Sequence, residues 1–264
     1  MKKVFCVRFL ALALAFSSLL SATLVPDNWV GTEYAKNSES QKASAEDFLQ
    51  FVELKGNEAV LDVGCGDGKI TAALAEKVSE GSVVGVDISP LMIRFAKSHF
   101  RSQENLSFYI ADAAKLSFEN EFDVITSFTV MHWVLDQEEA LRGFAKALKP
   151  KGKLWIQMPT GLPKAMQKAL DKTIANPRWK PYFVDFSAPW QFFQPEEYKS
   201  LLRQARFNSK RVDVVTKHEK FSSRAAFQGF LKQWFPYLRA LPADLKESFL
   251  TDLLDSYLVF LPLD

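Results

Sequence analysis

Cysteine is scarce in this chain. Its two cysteines, Cys6 and Cys65, stand in an apolar leader and in a glycine-rich turn, which leaves no disulfide framework and no cysteine metal set. There is no dense run of lysine and arginine, and the formal net charge is only +2, so no phosphate-binding stripe marks the chain for nucleic acid. Internal repeats and low-complexity tracts are also missing. The apolar stretch from Phe9 to Leu20 is short for a membrane span. What remains is an ordinary globular composition. The 264 residues are 48% hydrophobic and 24% charged, rich in phenylalanine at 23, and enough for one or two domains.

The N-terminus stands apart. Met1 to Ala22 carries Lys2, Lys3 and Arg8 around apolar residues and ends in the small pair Ser21-Ala22, a pattern that resembles a secretory signal peptide or signal anchor. A start site placed upstream of the folded domain accounts for the same residues. Residues 1–25 are therefore read as a signal-like or mis-started leader, and residues 29–264 as the folded domain. The compartment follows from that choice: cytoplasmic for a mis-assigned start, exported or membrane-anchored for a true leader.

Residues 41–54 place Ala45, Phe48, Leu49 and Val52 on one helical face. Short apolar segments then alternate with helical ones. Strands are expected at Ala59–Val63, Ser82–Val86, Leu106–Ile110, Phe122–Thr126 and Lys153–Gln157. Helices are expected at Lys69–Ser79, Pro90–Phe100 and Glu138–Leu148, the last ended by Pro150 and Gly152. Strands separated by helices imply an α/β fold with a parallel sheet covered on both faces, doubly wound by right-handed crossovers. After Pro159 the pattern changes. Residues 163–175 read as a helix and 176–195 as a loop dense in proline and aromatic residues. Glu196–Ala205 reads as a helix, Arg211–Thr216 as a strand, and 223–235 and 243–260 as closing helices. Residues 29–54 and parts of 159–260 are expected to form a helical, aromatic-rich cap.

The stretch VLDVGCGDGK, residues 60–69, carries the first chemistry. A strand that runs into Gly64, Gly66 and Gly68 gives up side chains where a ligand can approach the backbone. The helix behind it offers unpaired N–H groups and a positive dipole end. Ligands of open parallel sheets sit at such carboxyl ends. A dinucleotide fingerprint would need glycine where Lys69 stands, and Asp67 would bring negative charge towards a pyrophosphate. A cofactor without phosphate suits these residues better. Asp87 ends the second strand, where a carboxylate can accept two hydrogen bonds from a ribose diol. Asp112 follows the third strand and could accept from an adenine amino group. Duller roles exist for each: a tight turn for the glycines, a helix cap for Asp87 and a loop carboxylate for Asp112. Cys65 reads as a small packed residue rather than a nucleophile, because no activating partner is indicated.

Taken in order, VLDVGCGDG, VVGVDIS, YIADA and FDVITSFTVMHWV resemble the successive motifs of class I S-adenosylmethionine-dependent methyltransferases. The resemblance spans residues 29–260 and implies a Rossmann-like methyltransferase fold with S-adenosyl-L-methionine as cofactor. It implies that Gly64, Cys65, Gly66 and Gly68 pack on the methionine part, that Asp87 binds the ribose and that Asp112 binds the adenine amine. Asp62 would help hold the cofactor's ammonium, directly or through water, with Ile88, Ala113 and Ser127 beside these residues in the cofactor site. No metal is implied.

At the end of the fourth strand, Ser127-Phe128-Thr129-Val130 replaces the Asn/Asp-Pro-Pro-aromatic motif common in methyltransferases of nucleic-acid or protein nitrogens. His132-Trp133 follows and resembles the juvenile-hormone-acid and trans-aconitate methyltransferase group, which esterifies free carboxylates of small acids. Trp29, Tyr34 and Gln41 resemble that group's N-terminal pattern, and FQGFLKQWFPYLRALPADLKESFL resembles its C-terminal lid. The resemblance implies that Gln41 and Trp133 donate to the substrate carboxylate, a role both side chains have the hydrogens for. The expected reaction is methyl-ester formation on a small, hydrophobic carboxylic acid, with a small-molecule acceptor as partner, no nucleic acid, and no membrane span beyond the leader. The alternatives are O-, N- or C-methylation of a phenol, amine or quinone-like small molecule, with His132 removing a proton, or a protein that holds the cofactor without turnover. One departure stands out: the family's last, antiparallel strand is expected to be missing, which would leave Arg211–Thr216 as a weak edge.

Overall fold

The computed structural model describes residues 47–216, 218 and 220–261. The leader at 1–25 and the N-terminal part of the cap, including Trp29, Tyr34 and Gln41, lie outside the described residues. Among the described residues five strands form one sheet: β1 (Ala59–Val63), β2 (Ser82–Asp87), β3 (Leu106–Ile110), β4 (Phe122–Phe128) and β5 (Leu148–Gln157). Their order is β3-β2-β1-β4-β5 and every pairing is parallel. The chain starts at the centre, winds outward to β3, then returns across β1 to build β4 and β5. That reversal makes the gap between β1 and β4 the switch point at which such sheets bind ligands.

The connecting helices are α1 (Lys69–Lys77), α2 (Pro90–His99) and α3 (Gln137–Ala147). Local chemistry sets their starts. Ser89 accepts from the Met92 amide at 3.1 Å and Pro90 occupies the first turn of α2, where its missing N–H costs nothing. Asp136 caps α3 through the Glu139 amide at 3.0 Å, and Glu138 and Glu139 complement the helix dipole. Strand alternation then sorts the core. Val60 and Val124 share one buried cluster with Leu74 and Ala75 of α1, and Leu61, Val63 and Ile125 share another with Leu141 and Phe144 of α3. Asp62 and Thr126 therefore fall on the α1 face, in register with each other.

Two expectations are corrected. The helix α3 ends at Ala147 and β5 begins at once at Leu148, so Pro150 and Gly152 lie inside a strand rather than terminating a helix. An outer edge tolerates proline because no neighbour needs its N–H. The register shifts between Phe122 and Val124, and Lys151 takes φ 70, so the extra residues are absorbed as a bulge. The second correction is Arg211–Thr216, which forms no strand. Val214 and Val215 are exposed there, and among the described residues no strand pairs with the segment. Strand propensity without a ladder partner leaves the backbone to solvent.

Beyond β5 the regular structure is helical, with irregular segments between: α4 (Lys164–Ala175), α5 (Pro195–Gln204), α6 (Arg224–Trp234) and α7 (Lys246–Phe260). Tyr198 of α5 joins the α3 face of the sheet core. The helices α4, α6 and α7 enclose a separate cluster built on Leu170, Trp179, Leu231, Phe249 and Leu253. The buried Trp179 donates its indole N–H to Asp252 at 2.8 Å, which ties the aromatic loop to α7. Among the described residues, no helix is long and apolar enough to cross a membrane.

Candidate active site

The carboxyl ends of β1, β2 and β3 are stitched together by hydrogen bonds. The Gly64 and Cys65 amides donate to the Val86 carbonyl at 2.7 and 3.0 Å, and the Ala111 amide donates to the Asp87 carbonyl at 3.0 Å. The Asp87 carboxylate accepts from the Gly66 amide at 3.0 Å and from the Ser89 amide at 2.9 Å. Asp87 is therefore not the cap of α2, which is Ser89, but the clamp of the glycine bend. Gly64, Gly66 and Gly68 all have left-handed φ, at 76, 53 and 84. A side chain at Gly64 would also meet Val130 at 2.1 Å, and one at Gly68 would meet Ala96 and Phe108 at 2.9 Å. All three serve the turn, and Gly64 and Gly68 also allow close packing, against β4's loop and against α2 and β3.

Asp112 caps the short turn Ala113–Lys115 through the Ala114 amide at 3.0 Å and sits 3.6 Å from Lys115. Beside the two acids, Ile88 and Ile110 are 63% and 59% exposed, unusual for isoleucine at strand ends. Lys69 pairs with Asp67 at 3.5 Å. The bend thus offers acidic acceptors and apolar walls, and the cation beside it is already engaged. That set of acceptors fits a nucleoside without phosphates.

Asp62 is fully buried on the α1 face. Its carboxylate accepts from the Thr71 hydroxyl at 2.7 Å and the Thr126 hydroxyl at 2.9 Å. Burial outweighs these bonds and pushes its pKa up to about 6. Burial likewise raises the Cys65 thiol, so it stays protonated and packs with Ile93, Ala96 and Phe108. The buried Ser127 hydroxyl donates to the Val63 carbonyl at 3.0 Å, on the opposite face from Asp62.

Beyond β4 the backbone is strained. Thr129 takes φ 58, costly for a β-branched residue, with its amide donating to the Gln157 carbonyl at 2.7 Å. The single turn Met131–Trp133 follows. Gln137, buried in the first turn of α3, donates to the Met131 carbonyl and to the Val134 carbonyl, the latter at 2.6 Å. Its own carbonyl accepts from the Tyr198 hydroxyl at 3.2 Å. The turn that presents His132 and Trp133 is thereby fixed from α3 and α5. His132 is 4% exposed, stacked 6.0 Å from Phe192, and its Nδ1 has no partner. Burial lowers its pKa to about 4. Trp133 is half-buried and 5.5 Å from the Trp190 ring.

The structure brings Asp62, Gly64, Cys65, Gly66, Gly68, Asp87, Ile88, Asp112 and Ala113 to one end of three adjacent strands, and places Ser127, His132 and Trp133 at the end of β4. Gln41 lies outside the described residues. Sequence reasoning missed Thr71, Thr126, Val130 and Gln137. Thr126 had a signal, since parallel pairing of two strand ends sets it beside Asp62. Gln137 had none, because its contacts cross from a helix to a turn and to α5.

An open parallel sheet with this clamped glycine bend and two acids at its carboxyl edge defines an α/β enzyme that binds a phosphate-free nucleoside cofactor. Residues 54–206 match the family described as a methyltransferase domain, and the chain belongs to it as a class I S-adenosylmethionine-dependent methyltransferase. It is 30% identical over 213 residues to juvenile hormone acid O-methyltransferase of Drosophila melanogaster, covering 76% of this chain and 71% of that one. It is 26% identical over 230 residues to trans-aconitate 2-methyltransferase of Methylobacterium radiotolerans, covering 84% and 86%. Among solved structures, YcgJ of Bacillus subtilis superposes with a TM-score of 0.58 at 19% identity, covering 80% and 83%. Phosphoethanolamine N-methyltransferase 2 of Haemonchus contortus, bound to S-adenosyl-L-methionine, superposes with 0.55 at 18%, covering 88% and 52%. Both structural likenesses are to the fold.

Proposed function

We propose that the enzyme methylates the carboxylate of a small, apolar acid and releases a methyl ester. The observation that carries this reading is the placement of Trp133. It stands on a turn pinned by Gln137, one residue past His132 and against the Trp190 ring. An indole N–H can orient a carboxylate oxygen, and Gln41 is assigned the other. The two relatives named above act, by their names, on acids.

S-adenosylmethionine supplies an electrophilic methyl group. In the proposed site Asp87 accepts from the ribose and Asp112 from the adenine amine, while Ile88 and Ala113 flank the ring. Asp62 offers negative charge to the cofactor's ammonium, and the backbone of Gly64, Cys65, Gly66 and Gly68 lies along its methionine part. Ser127 supports the bend by tying β4 to Val63. The acceptor's task is geometric: its oxygen must stand in line with the methyl carbon. A carboxylate is already ionised near neutral pH, so no base is needed. His132, neutral there because burial lowers its pKa to about 4, acts as a wall rather than a counter-ion.

The unpartnered Nδ1 of His132 favours a second reading, in which it takes the proton of a phenol. Incubation with labelled cofactor and matched sets of carboxylic acids and phenols separates the two. Ester products from acids are expected; turnover of phenols alone would overturn the acid reading.

A further inference from the structure

Trp190 is packed by rings on several sides. Trp133, Phe192, Trp234, Phe235 and Tyr237 all have centroids within 5.3 to 6.2 Å of it. Yet it is only half-buried, and it leans on the cap's buried cluster from outside rather than belonging to it. Its segment, residues 184–194, has no helix or strand. Two backbone bonds hold the tip: Trp190 N–H to the Ala188 carbonyl at 2.8 Å, and Gln191 N–H to the His132 carbonyl at 2.7 Å. Few backbone bonds and no regular structure make such a segment cheap to displace.

The same cluster holds two buried polar atoms without hydrogen-bond partners, His132 Nδ1 and Trp234 Nε1. His132 reaches Trp190 through Phe192, and Trp234 touches it directly. Native interiors seldom leave such atoms unpaired unless a ligand or water completes them. A ring-lined slot with a few unsatisfied polar atoms is the composition of a small-molecule pocket. Here the indole of Trp190, from a segment without regular structure, stands among those rings.

We infer that Trp190 is the specificity-determining residue of the acceptor site, a side chain that occupies the place of the acceptor's apolar part and must swing aside for acceptors with large tails. Short acceptors bind at Trp133 with Trp190 in place. Long ones exchange its ring contacts for their own, and their apparent affinity is reduced by the fraction of time the slot is closed. The inference rests on the proposed acceptor site, and its test does not require turnover.

Decanoic acid and decanol are titrated calorimetrically into the cofactor-loaded wild type, Trp190→Phe and Trp190→Ala. The alanine variant is expected to bind both at least fivefold more tightly than wild type, with phenylalanine between them and cofactor affinity kept; its thermal midpoint should fall through the lost ring contacts, with phenylalanine again between. If Trp190 is only a wall of the site, its removal loses contacts and both probes bind equally or more weakly, which overturns the inference. The acid reading is judged separately, by whether decanoic acid binds more tightly than decanol to the same protein. A chain-length series of acids, or of para-alkyl phenols, adds the kinetic form: kcat/KM for long over short acceptors is expected to rise at least tenfold in Trp190→Ala. An unchanged ratio counts against the inference.

Discussion

The Gly66 amide donates to the Asp87 carboxylate at 3.0 Å, so the bend after β1 and the acid after β2 are one unit. With the Ser89 amide on its other oxygen, Asp87 fixes the loop that meets the cofactor as well as the proposed ribose contact.

Asp87→Ala is therefore expected to act twice. Cofactor affinity should fall at least a hundredfold by calorimetry, since charge-assisted hydrogen bonds are worth about 1.5–3 kcal/mol each. Thermal stability should fall as well, because two amides lose their acceptor. Asp87→Asn keeps shape and one acceptor oxygen. It should hold the thermal midpoint within a few degrees while affinity drops about tenfold, the loss of one such bond. Undiminished affinity in both variants would remove Asp87 from the cofactor site.

Asp62 carries a pH signature. Its folded pKa of about 6 lies above the 3.8 of an ordinary aspartate, so the folded state holds its proton more tightly than the unfolded chain does. Its stabilising contribution is full below pH 4 and is lost as pH rises through about 6, a swing of roughly 3 kcal/mol. An ammonium held beside Asp62 reverses the preference, and binding then releases a proton. Cofactor affinity should climb about tenfold between pH 5 and pH 7. Calorimetry in buffers of different ionisation enthalpy measures that proton. Asp62→Asn should flatten the profile; a flat profile in the wild type would place the ammonium elsewhere.

Much of this site was readable in the chain because its signals are local. Gly64, Gly66 and Gly68 mark left-handed backbone that side chains resist, and Asp87 and Asp112 stand at the ends of short apolar runs that read as strands. What stayed hidden depends on partners distant in sequence. Pro150 looks like a helix terminator until β5 is known to be an outer strand. Val212 and Val214 alternate like a strand, yet pairing is a property of two segments, and 211–216 has no partner among the described residues. Thr129 carries no mark of its left-handed backbone, which follows from the bond of its amide to β5.

Gln137 shows the same limit through Tyr198, 61 positions away, and with a functional consequence. Its amide group holds the Met131 and Val134 carbonyls and receives the Tyr198 hydroxyl. Gln137→Leu keeps most of the volume and strands three polar groups, two of them in buried bonds, at about 1–3 kcal/mol for each that stays dry. The variant should lose stability and should raise KM for the acceptor by about tenfold through a looser Trp133. Its cofactor affinity should change less than its acceptor KM, since Gln137 bonds the Met131–Trp133 turn and not the glycine bend itself. Tyr198→Phe removes only the outer bond and should show a fraction of both effects, read by thermal unfolding and steady-state kinetics.

His132 and Trp133 are neighbours with opposite expected roles, which makes them the sharpest pair to compare. Trp133→Phe keeps a ring against Trp190 and removes the N–H assigned to the carboxylate. For acids, kcat/KM should fall about ten- to hundredfold, the range of one hydrogen bond to a charged group, with cofactor affinity intact. His132→Phe keeps the stack on Phe192 and removes the imidazole nitrogens. Acid methylation should then stay within a few-fold, because an ionised carboxylate gives up no proton. A general base would behave otherwise: its loss costs about 10²–10⁴ in rate. Its titration would also appear near pH 4, where burial has put the imidazole. A large loss at His132 with little change at Trp133 would move the acceptor from acids to phenols while leaving the cofactor site where it is.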